Sequence, residues 1–390
     1  MKTNAIIPYG LHEIDEGDIQ AVVDILRSGT ITQGQAVEDF GQALADYVGA
    51  KYGVAVSNGT AALHLSVAAL NIGSGDEVIT TPMTFCATSN SVLYQGGKIK
   101  FVDIDEKTLN IDPQLIEDKI TSKTKAIMPV DFRGHPANMP AIKAIANKYN
   151  LKIIEDGAQS LGSSYFDGGQ EYFCGNGSHS DLAISSFHPV KHITTGEGGV
   201  VFTDNRDLYE KLSLLRKHGI DRSENMFDEA SRKGSWIYDM LELGFNYRIT
   251  DFQAALGISQ LAKIGRFKKR RREIVNFYNE NFKNIAELIL PYEGENVDSN
   301  FHLYTLQVRD NQRFDRYDLF SFLQKNNYAP MVHYIPVHLL SYYRQAFGFK
   351  PGDFPVAENY YERTISIPLY PSLSDVMVEK VVNDILKFVN

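Results

Sequence analysis

The chain has little cysteine and no long apolar segment. Its 390 residues contain two cysteines, Cys86 and Cys174, whose spacing fits neither a disulfide framework nor a set of metal ligands. No uninterrupted apolar run reaches the roughly 18 residues that suggest a transmembrane helix. Met1–Pro8 lacks the apolar core and cleavage motif of a signal peptide. We therefore expect a protein of a reducing compartment, the cytoplasm, with no membrane partner and no bound metal.

An excess of positive charge is also missing. The chain carries 39 lysines and arginines against 48 acidic residues, a formal net charge of −9. Binding to nucleic acid requires clustered positive charge, so the composition predicts no nucleic-acid partner. The exception is the basic run Lys268–Arg272, which we predict to be a solvated helix face.

The chain is longer than one hydrophobic core usually supports, which predicts two domains, residues 1–250 and 251–390. In the first, short β-rich runs alternate with helical patterns. The runs are Val54–Val56, Glu77–Thr81, Ile99–Val102, Ala126–Val130, Lys152–Glu155, Leu182–Phe187 and Gly199–Phe202. Strands separated by helices are typical of parallel βαβ units. The fold class is therefore expected to be α/β, with a mostly parallel sheet between helices.

Helical patterns separate these runs and then dominate the second domain. In the first domain they include Thr84–Gln95, Pro113–Ile120 and Met139–Asn150. Apolar residues at helical spacing, without proline, predict one long helix over Thr250–Phe282 and a closing helix over Asp375–Val389. We expect this part to be a smaller α+β domain.

A lysine and an acid follow two of the predicted strands. Lys191 lies on the loop after Leu182–Phe187, and Asp156 directly follows Lys152–Glu155. A carboxylate at the end of a buried strand is costly unless it meets a cation. The protonated ring nitrogen of pyridoxal phosphate is such a cation, and its protonation makes the ring an electron sink. Alone, Lys191 also fits an exposed lysine and Asp156 a helix cap; together they favour a cofactor site at the strand ends.

A third strand runs into a helix start that suits a phosphate. The free N–H groups and dipole at Gly59 and Thr60, with the Thr60 hydroxyl, form an anion site that Ser186 closes from the other side. Phe85 follows the next strand and is placed to stack on a flat ring. Gln159 is placed to hydrogen-bond a ring hydroxyl. Many α/β turns share the glycine pattern, and a buried core phenylalanine explains Phe85 equally well.

The order of these features resembles the fold-type-I pyridoxal-phosphate enzymes and, more narrowly, the DegT/DnrJ/EryC1/StrS sugar aminotransferases. The similarity covers nearly the whole chain and is most specific at Ser186–Lys191 and Gly244–Asp251. It implies that Lys191 is the catalytic residue and holds the cofactor as an internal aldimine. The further cofactor contacts that it implies are Gly59, Thr60, Phe85, Asp156, Gln159, Ser186 and Asn246. Asn246 would act in the neighbouring subunit's site, which implies a homodimer.

The resemblance also implies the reaction. L-Glutamate gives the amino group, the Lys191 amine moves the proton, and a nucleotide-linked keto-sugar accepts the amino group. The segments around Lys191 and at Val332–His338 are similar to the branch that aminates carbon 4 of a UDP-linked 4-keto-6-deoxy sugar in pseudaminic acid biosynthesis. Candidate substrate contacts are Arg248, His333, Tyr334 and His338.

Three alternatives stay open at the level of sequence. The first is amination at carbon 3 of a nucleotide keto-sugar. The second is another pyridoxal-phosphate reaction on this fold, such as that of a lyase or a dehydratase. The third is a non-catalytic regulatory protein with the same fold. The glycine-rich segment Phe166–Ser180 does not align with the short hairpin usual in the family.

Overall fold

The computed structural model describes residues 6–222 and 236–389. Within these ranges, no helix is both long and apolar enough to cross a bilayer. Met1–Ala5, which contribute to the prediction of location, lie outside the described residues.

The strands of the described residues fall into one large sheet and several small ones. In chain order they are β1 (Ile7–Pro8), β2 (Tyr52–Val56), β3 (Glu77–Thr80), β4 (Lys98–Phe101), β5 (Thr124–Ile127), β6 (Lys152–Asp156), β7 (Ser164–Asp167), β8 (Gln170–Phe173), β9 (Leu182–Ser186), β10 (Gly199–Thr203), β11 (Ile220–Asp221), β12 (Asp239–Met240), β13 (Leu288–Ile289), β14 (Val297–Asp298), β15 (Tyr304–Val308), β16 (Tyr328–Ala329) and β17 (Thr364–Ile367).

The α-helices of the described residues pack on both faces of the large sheet and around the C-terminal strands. They are α1 (Glu16–Ser28), α2 (Gln35–Val48), α3 (Gly59–Ala69), α4 (Ala87–Tyr94), α5 (Met139–Tyr149), α6 (Arg206–Leu215), α7 (Asp251–Leu261), α8 (Ile264–Phe282), α9 (Arg316–Lys325), α10 (Ser341–Phe347), α11 (Pro355–Arg363) and α12 (Asp375–Val389).

The large sheet has seven strands in the order β2-β10-β9-β6-β5-β3-β4. Only β10 runs antiparallel to its neighbours, β2 and β9, so the predicted α/β fold with a mostly parallel sheet is confirmed. The carboxyl ends of the parallel strands therefore lie at one edge. Because β10 runs the other way, its first residue, Gly199, lies at the same edge, opposite Val56 and Ser186.

Alternate residues of each strand enter cores on opposite faces of this sheet. In β6, Ile154 packs in the core that contains α3 and α4, whereas Ile153 packs with α5. Ala183 and Val200 meet α2 and α7 in a third core. This period of two follows from the pleat of a strand, and it decides which side chains face each helical layer.

The C-terminal part has a core of its own around the sheet β13-β15-β17. Side chains of α8, α9 and α12, among them Tyr278, Leu319 and Ile385, are buried there. Ile7 shares this core because β1 pairs in parallel with β16. The division into domains at residue 250 stays a prediction.

Two helix predictions were wrong. Thr250–Phe282 is not one helix but α7 and α8, which are separated at Ala262 and Lys263. Tertiary contacts explain the break, because the Lys263 amine lies 2.5 Å from Asp18 Oδ2 in α1. Pro113–Ile120 forms two short 3-10 turns instead of an α-helix.

The basic run in α8 is helical, but it is not a solvated face. Arg271 is 1% exposed, and its Nη1 donates to the Leu369 carbonyl at 2.8 Å. Lys268 and Arg272 both pair with Asp298. The run therefore attaches α8 to its neighbours through buried and partly buried hydrogen bonds.

The glycine-rich segment begins as a hairpin. Strands β7 and β8 pair antiparallel across Gly168 and Gly169, whose φ angles of 57° and 84° suit glycine. The chain after β8 passes behind β6, where Gly175 N and Ser180 Oγ donate to the Glu155 carboxylate. The end of this segment thus supports the strand that carries Asp156.

Candidate active site

Lys191 lies in a loop that closes back on itself between β9 and β10. Thr195 N and Thr194 Oγ1 both donate to the Phe187 carbonyl, at 3.1 and 3.0 Å, and Lys191 N donates to the His188 carbonyl. These bonds fix the loop at the strand-end edge and present the lysine to a cavity. Its removal from water lowers the pKa of the Lys191 amine to about 8, although the nearby Asp156 charge acts in the opposite direction.

Asp156 ends β6 and is 4% exposed. Its Oδ2 accepts a hydrogen bond of 2.7 Å from Thr88 Oγ1, and its Oδ1 accepts one of 3.2 Å from Ala158 N. Burial raises the pKa of the Asp156 carboxyl, while these two donors and the Lys191 charge lower it. A cation placed against this carboxylate would offset its desolvation.

The start of α3 forms a narrow cup with the end of β9. A side chain on Gly59 would place its Cβ 2.9 Å from Ser186 Cβ, so the two elements approach too closely for any residue but glycine. Asn58 caps Ala61 N, and the earlier N–H groups of Gly59 and Thr60 precede the first intrahelical bonds. The cup can therefore bind an anion at a helix N-terminus.

Gln159 and two aromatic rings lie on the other side of Asp156. Gln159 Oε1 accepts from Arg133 N at 2.6 Å, and its Nε2 donates to the Tyr334 hydroxyl at 3.0 Å. The Phe85 ring is 57% exposed and its centroid lies 6.1 Å from that of Tyr334. Phe85 is thus an accessible wall rather than a core residue.

These side chains surround one cavity of about 790 Å³. Nine of the predicted site residues line it: Gly59, Thr60, Phe85, Asp156, Gln159, Ser186, Lys191, His333 and Tyr334. The structure thus brings together residues from five separate segments of the chain. Their individual roles stay predictions.

Three predicted residues do not line this cavity. His338 is fully buried, and its Nε2 lies 2.9 Å from Glu358 Oε1, which argues against the predicted substrate contact. Arg248 is partly buried outside the cavity. Asn246 is exposed and forms an isolated bridge with Lys217, so it does not reach the site of its own chain.

Sequence reasoning missed several residues of the cavity wall. Thr88 was not predicted as a site residue, although it lies within the predicted helix Thr84–Gln95; its hydroxyl lies 2.7 Å from that of Thr84. Tyr9 and Met331 reach the cavity through the long-range pairing of β1 with β16, for which the sequence offers no local signal.

Neutral histidines lie around the lysine. Burial lowers the pKa of His333 to about 3 and, with the neighbouring Arg271 charge, that of His192 well below its usual value. His333 Nδ1 lies 2.8 Å from Ser366 Oγ, and His192 Nε2 lies 3.0 Å from the Asn300 carbonyl. Lys191 and Asp156 instead influence each other through charge, since each favours the ionised form of the other.

The arrangement fits pyridoxal phosphate. A phosphate matches the cup at Gly59, the ring matches the exposed Phe85 face, and a protonated ring nitrogen matches the desolvated Asp156 carboxylate. Lys191 lies on the same cavity with an amine that is readily deprotonated.

Known proteins that are similar to this chain are found by sequence and by structure. The chain is 36% identical to the UDP-4-amino-4,6-dideoxy-N-acetyl-beta-L-altrosamine transaminase of Campylobacter jejuni, over 95% of this chain and 94% of that protein. The PMP form of Spr1654 from Streptococcus pneumoniae is 31% identical with a TM-score of 0.90, covering 98% of this chain and 99% of that one. PseC of Helicobacter pylori, an aminotransferase of pseudaminic acid biosynthesis, is 29% identical with a TM-score of 0.87 and the same coverage.

The family model gives the same result over nearly the full length. The model described as the DegT/DnrJ/EryC1/StrS aminotransferase family matches residues 12–386. The family resemblance of the sequence is thereby confirmed, and the protein is a pyridoxal-phosphate-dependent sugar aminotransferase. The chain belongs to the DegT/DnrJ/EryC1/StrS aminotransferase family.

Proposed function

We propose that the chain transfers an amino group from L-glutamate to carbon 4 of a UDP-linked 4-keto-6-deoxy sugar. The observation that carries this proposal is the convergence of Lys191, Asp156 and the anion cup at Gly59 on one open cavity. The similarity to the C. jejuni transaminase and to PseC supports the nucleotide sugar and the position on it.

Lys191 moves the proton. When bound, pyridoxal phosphate supplies the electron sink on which amino-group transfer depends. With a pKa of about 8, the Lys191 amine is present in both protonation states near neutral pH. A group in this range both accepts and returns a proton efficiently, which is the requirement for general acid–base catalysis.

Asp156 has a binding and an orienting role. Its carboxylate is held by Thr88 Oγ1 and Ala158 N, so it presents a fixed negative charge to the cavity. Such a charge stabilises a protonated ring nitrogen. It also raises the pKa of Lys191, in opposition to the larger lowering that burial causes. Ser186 and the N-terminus of α3 hold the phosphate at the other end, which fixes the direction of the ring.

The rest of the cavity suits a bulky sugar. Beyond Phe85, the wall includes His188, Glu197 and Met331, all of which are exposed. His188 and Glu197 give this open part of the cavity polar groups that can fix the orientation of a substrate. Of the predicted substrate contacts, His333 and Tyr334 line this cavity.

A panel of nucleotide sugars tests the substrate. The holoenzyme is incubated with L-glutamate and with UDP- and dTDP-linked 3-keto or 4-keto sugars, and products are identified by mass and NMR. We expect kcat/KM for the UDP-linked 4-keto sugar to exceed the others by about tenfold or more. A preference for a 3-keto sugar contradicts the position, and failure of glutamate to form the pyridoxamine cofactor contradicts the donor.

The exposed position of Asn246, outside the cavity of its own chain, favours a homodimer with shared sites. We expect Lys191→Ala and Asn246→Ala chains to be inactive separately. After subunit exchange they should recover activity, because one site of each mixed dimer has both residues. Exchange that is confirmed by mass spectrometry but restores no activity contradicts the shared site.

A further inference from the structure

A second cavity lies on the far side of the loop that follows β5. It has a volume of about 630 Å³ and is lined by residues of β13, β15, α11 and the loops after β4 and β5. Four basic side chains and one acidic side chain contribute to its wall: Lys107, Arg133, Arg309, Arg363 and Glu106. In a chain with a net charge of −9, this concentration of positive charge is unusual.

Arg133 is the innermost of these cations. It is 2% exposed, and its hydrogen bond within the described residues is from Nη2 to the Tyr292 carbonyl at 2.7 Å. Other buried arginines are better satisfied. Arg216 pairs with Glu38, and Arg271 Nη1 lies within 3.4 Å of three carbonyl oxygens. Arg133 therefore retains donor capacity that a bound anion would use.

The remaining wall combines hydroxyl groups with apolar surface. Thr305 and Tyr360 contribute buried hydroxyls that interact with each other, and that of Tyr360 also interacts with Thr364. Leu109, Ile289 and Leu290 supply an apolar side to the cavity. Basic groups next to apolar surface suit an organic molecule that carries a multiply charged oxyanion.

We propose that this second cavity binds a small phosphorylated metabolite, with the phosphate at Arg133, Arg309 and Arg363. Arg309 is exposed at the rim, and Arg363 pairs with Asp310, whose side chain is 85% exposed and therefore a weakly held partner. A phosphate bound in the second cavity would replace that ion pair with a charge-assisted hydrogen bond to Arg363 that is less exposed to water.

The cavity is connected to the catalytic site through one residue. The backbone of Arg133 is held at a φ of 53°, with its N–H donating to Gln159 Oε1 and its carbonyl accepting from His302 N. Gln159 in turn donates to Tyr334 in the catalytic cavity. A ligand that binds the Arg133 guanidinium therefore contacts the residue whose backbone N–H donates to Gln159. We infer that binding of this ligand changes the position of the Gln159 amide and, with it, the surroundings of the cofactor.

Calorimetry of the holoenzyme tests this site independently of the proposed function. The probes are ribose 5-phosphate and inorganic phosphate, which separate a phosphorylated organic ligand from the free ion. The test variant is Arg309→Gln/Arg363→Gln, which leaves the buried Arg133 in place. The control is Arg27→Gln/Arg344→Gln, which removes two exposed arginines that line neither of the two cavities.

We expect ribose 5-phosphate to bind the wild type and the control equally, and the test variant about tenfold or more weakly. Weaker binding of inorganic phosphate that responds to the same variant supports the phosphate contacts. Binding of inorganic phosphate alone overturns the organic ligand, and binding that the test variant leaves unchanged overturns the site. The absorption spectrum of the bound cofactor reports the link to Gln159: a shift on ligand addition in the wild type supports it, and an unchanged spectrum at saturation overturns it.

Discussion

Glu155 and Asp156 are adjacent acids at the end of one strand, yet they lie in two different regions of the molecule. Asp156 faces the catalytic cavity and the helix α4, where Thr88 donates to it. Glu155 points to the opposite face of the sheet, into a buried group with Asp131 and Cys174 whose polar atoms lie within 4.8 Å of one another. The alternation of side chains along a strand therefore gives two identical functional groups two different environments.

The two environments favour different protonation states. Burial raises the pKa of both carboxyl groups, but Asp156 is offset by Thr88, Ala158 and the charge of Lys191. Glu155 has no such cation among its main influences, and the neighbouring Asp131 charge raises its pKa further, well above the ordinary value. We infer that Glu155 and Asp131 share a proton, whereas the Asp156 carboxylate would pair with the protonated ring nitrogen of the cofactor. The face of the sheet on which a carboxyl group lies therefore determines its protonation state more than the residue type does.

The largest effect is expected from Lys191→Ala, at the face of the sheet that borders the catalytic cavity. Turnover should fall by about 10³-fold or more, because the group that moves the proton is removed. The matched control is Lys152→Ala, which removes an exposed lysine from the other end of β6. Borohydride should fix the cofactor covalently on Lys191 in the wild type, as detected by peptide mass spectrometry. Full turnover of the alanine variant would falsify this assignment.

The contrast between the two faces of β6 is tested by replacing the carboxyl group on each face with an amide. Asp156→Asn should reduce turnover by roughly 10²-fold or more, because an amide does not stabilise a protonated ring nitrogen. Glu155→Gln should keep turnover within a few-fold, because the amide resembles the protonated carboxyl that we infer there. Steady-state kinetics with one sugar and glutamate measures both. Equal losses in the two variants would contradict the division of roles.

A smaller effect is expected from Thr88→Val, which removes the donor to Asp156 Oδ2 but keeps the shape of the side chain. A hydrogen bond to a charged group is worth about 1.5–3 kcal/mol, so a loss of roughly ten- to hundredfold in turnover is expected. Thr88→Ser keeps the hydroxyl and should restore most of the rate. A valine variant with wild-type kinetics across the pH range would show that Thr88 does not position Asp156.

The sequence allowed the strand ends to be predicted, and with them the residues whose positions depend on those ends. Lys191 and Asp156 follow predicted strands and Ser186 lies near the end of one, and a parallel sheet brings such positions to one edge whatever the remaining packing. Gly59 was predicted from the strand–glycine–helix pattern, and the structure gives the reason for the glycine, since a Cβ there would lie 2.9 Å from Ser186 Cβ. Local pattern and sheet geometry are sufficient for this part of the site.

Features that depend on contacts between distant segments could not be predicted. The break between α7 and α8 has no proline or glycine at Ala262 and Lys263, and it is explained by the reach of Lys263 to Asp18. His338 was predicted to contact substrate because its segment resembles the family, but the side chain is buried and its Nε2 lies 2.9 Å from Glu358 Oε1 in the interior. A histidine's neighbour across the fold decides its role, and one sequence does not reveal that neighbour.

The smallest expected effect concerns the free energy of unfolding and the buried carboxyl group of Glu155. The folded state holds the Glu155 proton more tightly than the unfolded chain, in which a glutamate has its ordinary pKa of 4.5. Between pH 4.5 and the raised folded value, the folded state therefore binds more protons than the unfolded state. The free energy of unfolding must fall with rising pH in this window, by up to about 1.4 kcal/mol per pH unit for one proton.

Glu155→Gln removes this dependence while keeping a group of the same shape beside Asp131. Urea unfolding of the two holoenzymes from about pH 5 to pH 8 measures the difference. The advantage of the wild type over the variant should be greatest at the acidic end and shrink as the pH rises, because deprotonation places a second negative charge beside Asp131 away from water. Asp156→Asn should show a weaker dependence of the same sign, since burial also raises the pKa of Asp156 but the hydrogen-bond donors and the lysine charge at that face oppose the shift. Parallel unfolding curves for wild type and Glu155→Gln would mean that Glu155 is ionised in the folded protein, and the contrast between the two faces of β6 would then rest on geometry alone.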